Sequence, residues 1–242
     1  MNSGEIICVI PARGGSKGIP GKNIVEFDGK PLLHWSIAAA KSSGRVARVI
    51  VSTDDERITE AAKQSGAEVP FVRPANLAGD DVHSVHVVLH VLDWLEQERQ
   101  LQPAGIMMLL PTSPLRTAND VAAAADLFIE RGAKAVVSVC DLGKYMTNLR
   151  YVREGALVPV SPEVDRNAQR QGLEKLYGVN GSIFIAKPDV LREQKSFHVE
   201  GVLAYVMDPF HSIDINTHDD FALAERIRAA LLSPERNERG VA

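Results

Sequence analysis

A chain of 242 residues, 45% hydrophobic and 24% charged, is long enough to bury a core without disulfides and fits one α/β domain, 1–242. Its formal charge of -4 offers no general attraction to nucleic acid or anionic lipid, so neither is expected as a partner and any phosphate must be held by local positive charge. The opening apolar run is short and lacks a basic flank, and no stretch reaches membrane-spanning length, which predicts a cytoplasmic protein. Cys8 and Cys140 sit in apolar runs without metal-ligand spacing and read as buried thiols.

In chain order, short β-branched runs alternate with segments whose apolar residues recur three and four apart. A strand over 5–12 is followed by a glycine-rich loop and a helix over 32–41. A strand over 46–53 leads into a helix over 55–64, and a further helix is expected over 82–98. The strand over 105–111 precedes a helix over 119–130; strands follow over 134–140, 179–186 and 202–207, and a last helix over 218–232. This rhythm predicts a doubly wound, mostly parallel sheet of Rossmann-like α/β type, with ligands at the carboxyl ends of its strands. The segment 141–176 breaks the rhythm. Its YVREGALVPV stretch reads as a hairpin around Glu154-Gly155, and a polar run follows, so the segment is read as an inserted arm or lid.

After the first strand, ARGGSKGIPGKN combines Arg13, Lys17 and Lys22 with four glycines and no acidic residue. Glycines let backbone N–H groups approach an anion, and cations at the rim offset its charge, so the composition suits a triphosphate. The Walker A spacing is absent, and so is GxGxxG. A basic surface turn is the alternative reading; direct attachment to an apolar strand weighs against it.

The run IPARGGSKGIPGKNI resembles the signature of the acylneuraminate cytidylyltransferases, the CMP-sialic acid synthetases and their relatives acting on pseudaminic and legionaminic acids. RPANLAGD at 73–80, PTSPLR at 111–116, RQGLEKLYGVNGSIFI at 170–185 and SIDINTHDDFALAE at 212–225 extend the resemblance over nearly the whole chain. It implies a nucleotide-diphospho-sugar transferase-like fold with an arm exchanged across a homodimer, and transfer of CMP from CTP to an acidic sugar with release of pyrophosphate. By the same resemblance Arg13, Ser16, Lys17 and Lys22 hold the triphosphate, Ala12, Gly14 and Gly15 bind the nucleotide with them, and Asn23, Arg73 and Ser84 contact the nucleoside. Lys22, Arg13 and Lys17 then screen the departing pyrophosphate, which suits a reaction governed by positioning and charge. Thr112, Ser113, Arg116, Arg170, Gln171, Tyr177 and Asn180 match acceptor-binding positions. Arginine fits a carboxylate because its planar fork can pair with both oxygens. Asp214 and Asn216 match the metal-binding Asp-x-Asp pair, implying Mg²⁺ or Mn²⁺ as cofactor.

Two departures stand out. The family's glutamine before PTSP is Leu110 here, and the second metal aspartate is Asn216. They keep open an acceptor of another kind, such as a different keto-deoxy sugar acid, a phosphonate or a phosphate ester, and also an inactive nucleotide-binding paralogue. Asp219 and Asp220 read as helix N-terminal charge and Thr117 as a helix cap. His86 and His90 have the i,i+4 spacing of zinc ligands, but HExxH lacks its glutamate, so His83, His86 and His90 read as ordinary helix residues. No general base is identifiable.

Overall fold

Along Ile6–Pro11, β1, every side chain but the last is buried, and the two faces are used alternately. Ile6, Cys8 and Ile10 join one apolar cluster, while Ile7 and Val9 join another. That is the signature of a strand covered on both sides. The computed structural model describes residues 4–16, 18–161 and 173–232, and β1 is central to its six-stranded sheet.

The sheet is completed by β4 (Val46–Ser52), β5 (Gly105–Leu109), β6 (Ala135–Asp141), β9 (Tyr177–Ala186) and β10 (Leu203–Met207), in the order β10-β6-β9-β5-β1-β4. The short pairs β2 (Glu26–Phe27) with β3 (Lys30–Pro31) and β7 (Arg150–Arg153) with β8 (Ala156–Pro159) form separate hairpins. All pairings in the main sheet are parallel except those of β9, which runs antiparallel to both β5 and β6. The direction of β9 matters for function. Its first residues, Tyr177 to Asn180, lie at the carboxyl edge of the parallel strands, where Tyr177 pairs with Asp141.

Helices α1 (Leu32–Ser42), α2 (Glu56–Gln64) and α4 (Ala118–Glu130) cover one face through residues such as Ile37, Ile58 and Phe128. Helix α3 (Ser84–Arg99) and α5 (Pro188–Gln194) cover the other through Val88, Leu92, Leu95 and Leu191. Each fully buried Ile, Leu or Val contributes roughly 1.5–3 kcal/mol, so the sheet and these helices hold the scaffold against the entropy of ordering it. Helix α5 was not foreseen; it has seven residues and only one buried side chain, too little periodicity to detect. The predicted strands and the other helices appear within a few residues of their expected bounds.

A third cluster ties Ile19 of the glycine-rich loop, Phe27 and Leu32 to Leu115, Ile215 and Ala224 of α6 (His218–Leu232). It joins the loop after β1 to the segment before α6. Thr117 caps α4 in a reciprocal box with Asp120. Thr217 and Asp220 do the same for α6: Asp220 accepts from the amides of Asn216 and Thr217, which hold its carboxyl below the usual range. The hairpin expected within 141–176 is present as β7–β8, turned by Glu154 and Gly155, both at positive φ. Residues 162–172 of that segment lie outside the described residues. Cys8 is buried, but Cys140, at the edge of β6, is only half-buried and so departs from the expectation.

Candidate active site

The carboxyl ends of β1 and β5 open into a cleft of about 470 Å³. One wall is the loop after β1. Its path is set by Gly21, at φ 62°, and by Asn23, whose buried amide donates to the Arg13 carbonyl at 2.9 Å. Arg13, Ser16, Gly18, Lys22 and Asn23 all line the cleft. The opposite wall is the stretch from Arg73 to α3, with Leu77, Gly79, Asp80, Val82, Ser84 and Val87 facing in. Leu110, Pro111 and Thr112 form the floor, and Asp214 and Asn216 close one side.

The loop and the 214–216 segment are packed backbone to backbone. A Cβ at Gly18 would lie 2.5 Å from the Asn216 carbonyl oxygen, so only glycine fits there. Lys22 Nζ donates to the Ile215 carbonyl at 2.9 Å, and the Ile215 amide donates to the Thr112 carbonyl at 2.8 Å. Burial lowers the pKa of Lys22, partly opposed by the nearby charge of Asp214. Asp214 accepts from the Asn216 amide through Oδ2 at 2.7 Å, while its Oδ1 is buried with no hydrogen-bond partner among the described residues. A buried, unpaired carboxylate oxygen on a cleft wall is costly unless a cation shares it. The donor set therefore fits a hard divalent ion, with Asp214 as the anionic ligand and the Asn216 side-chain oxygen as a neutral one.

Arg73 is 4% exposed, donates to Ser52 through Nε at 3.2 Å and is pushed down to about 10 by burial. One edge of its guanidinium thus braces the end of β4. Ser84 is the first residue of α3 and lines the cleft. His83 occupies the N-cap position of that helix without a side-chain capping bond among the described residues, and the His90 ring meets Phe71 edge-on at 4.7 Å.

Several expected ligands are placed elsewhere. Ala12 is in the core with its amide bound to the Ser52 carbonyl, and the Gly14 amide is occupied by Asp54 at 3.0 Å. Neither is left to bind phosphate, because the strand end and its neighbour already satisfy those donors. Gly15 is open but does not line the cleft. Ser113 is wholly buried, its hydroxyl without a hydrogen-bond partner among the described residues, because the chain after Pro111 turns inward over the core.

Arg116 is the largest correction. It is 3% exposed and bonds to the Ser182 carbonyl at 2.6 Å, the Ser36 hydroxyl and the Leu110 carbonyl, so it staples β5, β9 and α1 together instead of facing an acceptor. Asn180 is also committed: it accepts from Ser138 and donates to Ser212, fastening β6 and the 208–217 loop. Tyr177 lies at the same edge of the sheet but does not line the cleft. Lys17, Arg170 and Gln171 lie outside the described residues.

Sequence reasoning overlooked Asp54 and Asp80, two carboxylates that brace the loop. Asp80 bonds Arg13 at 2.5 Å, and the Gly79 carbonyl accepts from the same guanidinium at 2.9 Å. The available signal was position: Asp54 follows β4 at the carboxyl edge, and Asp80 ends the RPANLAGD run. Asp120 was likewise overlooked as a junction; it accepts from Tyr205 and lies within ion-pair distance of His211 on the loop that carries Asp214.

Comparison with known proteins identifies the family. Residues 7–130 match the family described as Cytidylyltransferase. CMP-N,N'-diacetyllegionaminic acid synthase of Legionella pneumophila is 36% identical over 226 residues, spanning 92% of this chain and 96% of that protein. Pseudaminic acid cytidylyltransferase of Campylobacter jejuni is 32% identical over 219 residues, spanning 90% and 94%. A solved CMP:2-keto-3-deoxy-manno-octonic acid synthetase complexed with CTP superposes at a TM-score of 0.68 over 94% of this chain and all of that one; at 17% identity it shows the fold alone. This chain belongs to the cytidylyltransferase family and is a nucleotidyltransferase.

Proposed function

We propose that this cytidylyltransferase transfers CMP from CTP to a hydroxyl of an acidic sugar, a nonulosonic acid of the N-acylneuraminate, legionaminate or pseudaminate kind, and releases pyrophosphate. The observation that carries the reading is the juxtaposition, on one cleft, of the cationic loop with Asp214 and its unpaired buried oxygen. The names of the similar proteins supply the acceptor class.

In this reading the acceptor hydroxyl displaces pyrophosphate from the α-phosphorus in one in-line step. Lys22 and Arg13 screen the charge that grows on the leaving group, and Lys17 is expected to act with them. Arg73 and Asn23 orient the nucleoside from their braced positions. Mg²⁺ or Mn²⁺, held by Asp214 and Asn216, would supply charge neutralisation at the phosphates. Because CTP is an intracellular substrate, the protein is expected to work in the cytoplasm; among the described residues no helix is long and apolar enough to cross a membrane.

The β7–β8 hairpin presents Val152 and Leu157 at 73% and 71% exposure, opposite one another in register. Such a pair calls for a cover, and a second copy of the chain is proposed to provide it, forming a homodimer. Double substitution of Val152 and Leu157 by Glu is expected to convert a dimer to monomer in sedimentation experiments. A monomeric unsubstituted chain would remove the dimer from the proposal.

The reaction is tested by metal-dependent pyrophosphate release from CTP, against ATP, GTP and UTP, with N-acetylneuraminic, legionaminic, pseudaminic and 3-deoxy-octulosonic acids as acceptors. Turnover is expected with CTP and one of the first three acids. CTP binding without turnover on any of them would sink the proposed acceptor class.

A further inference from the structure

One peptide unit in the wall of the cleft is held from both sides by opposite charges. The Ile215 carbonyl accepts from Lys22 Nζ at 2.9 Å, and the Asn216 amide, at the other end of the same peptide, donates to Asp220 Oδ2 at 3.0 Å. A trans peptide points its C=O and N–H in opposite directions, so the ammonium and the carboxylate face each other across it. Lys22 lines the cleft and Asp220 stands outside it. The carboxylate therefore bears on the site from behind its wall.

Asp220 is either a helix cap and nothing more, or a cap that also sets the peptide to which Lys22 is bonded. Helix α4 decides between the two because it carries the same cap. There Asp120 accepts from the amide and hydroxyl of Thr117, as the box requires, while the preceding amide, that of Arg116, donates to the Ser113 carbonyl. Asp220 makes the equivalent bonds to Thr217 and adds one to the preceding amide, that of Asn216. Capping does not need that bond, yet it is the foremost cause of the lowered Asp220 carboxyl. An amide whose N–H meets an anion is a stronger acceptor at its C=O, which strengthens the bond from Lys22. That bond uses one of three ammonium N–H groups and leaves two for an anion in the cleft. We infer that Asp220 is a positioning residue that holds Lys22 toward the cleft through the peptide between Ile215 and Asn216, an inference that rests on the proposed role of Lys22 at the leaving pyrophosphate.

Asp220 keeps its capping role in this reading, so the test separates capping from positioning. D220A removes both, whereas T217V removes the hydroxyl bonds of the cap and leaves the Asn216 amide bonded to Asp220. In steady-state pyrophosphate release, D220A is expected to lower kcat about tenfold with KM for CTP within about threefold, as loss of a supporting partner behind a functional group does. T217V should retain kcat, although both variants lower Tm. D220N should fall between D220A and the unsubstituted chain, because its amide oxygen still accepts from Asn216. D219N, which removes the same charge from the exposed neighbouring residue, is expected to leave kcat unchanged.

Hydrogen exchange of the Asn216 amide, read by mass spectrometry in peptides covering residue 216, supplies an arm that needs no reaction. A peptide that links the two charged groups is loosened from either side, so exchange should quicken roughly three- to tenfold in D220A and in K22A alike. In T217V it should stay near the unsubstituted rate. Unchanged kcat in D220A, an equal loss of kcat in T217V, or unchanged exchange in K22A would each overturn the inference and leave Asp220 a cap alone. A chain that turns over no acid with CTP fails the proposed function separately, and the exchange arm then decides by itself whether the peptide couples Lys22 to Asp220.

Discussion

Arg13 and Arg116 each follow a central strand at the carboxyl edge of the sheet, each within a recognisable motif, yet one faces the cleft and the other is entombed. Arg13 pairs with a carboxylate and keeps donors toward solvent. Arg116 is surrounded by neutral acceptors, two backbone carbonyls and the hydroxyls of Ser36 and Ser182, and burial pushes it down to about 10. The contrast teaches that a cation in a binding motif serves chemistry only where the chain leaves it donors to spare. Elsewhere its many donors make it a cross-brace.

The widest separation between the two regions comes from Lys22 on the cleft side. K22A should lower kcat about 10²–10³-fold, as loss of one preorganised charge-stabilising donor does, while Tm stays within a few degrees. A comparable loss of stability would place Lys22 with the braces. R116M should do the reverse: with buried acceptors on β5, β9 and α1 stripped of a donor, each costing about 1–3 kcal/mol, urea unfolding should register roughly 2–3 kcal/mol or more. Unchanged stability with a raised KM for the acceptor would return Arg116 to the substrate.

Cys8, the buried thiol beside Arg116, sharpens the comparison through pH. Desolvation, which outweighs the neighbouring cation, raises it from an ordinary 9.0 to about 12. Between those values the unfolded chain has released the proton and the folded chain still holds it, so stability falls as pH rises through that window and is unaffected below it. C8A should flatten the decline measured between pH 8 and pH 10, by about 1 kcal/mol; an identical slope in C8A would show that other groups dominate.

The smallest effect belongs to Ser113, whose buried hydroxyl has no hydrogen-bond partner among the described residues. S113A should be neutral or stabilising by less than about 1 kcal/mol, with activity retained. A large loss of activity would mean that the hydroxyl turns into the cleft when substrate is present.

Much of the scaffold was legible because burial on both faces writes itself as apolar runs, and helices as three-and-four spacing. Strand β1 and helix α4, with its Thr117 cap, are clear cases. The direction of β9 was not legible, since the apolar run of its buried second half reads the same either way; neither was α5, which buries only Leu191. Within the site, the cationic loop and Asp214 could be read from residue type and placement. The commitment of Asn180 to Ser138 and Ser212 could not, because its partners lie 42 and 32 residues away.

By itself the chain's order of residues determined the alternation of strands and helices, the cationic loop after β1 and the family, for these depend on local pattern and on side-chain chemistry. Tertiary structure alone decided which charged groups face the cleft. It turned Arg116 inward, set Asp80 against Arg13 and brought Gly18 against the Asn216 carbonyl. The physical reason is that orientation and desolvation depend on what packs around a group, and those neighbours come from distant parts of the chain.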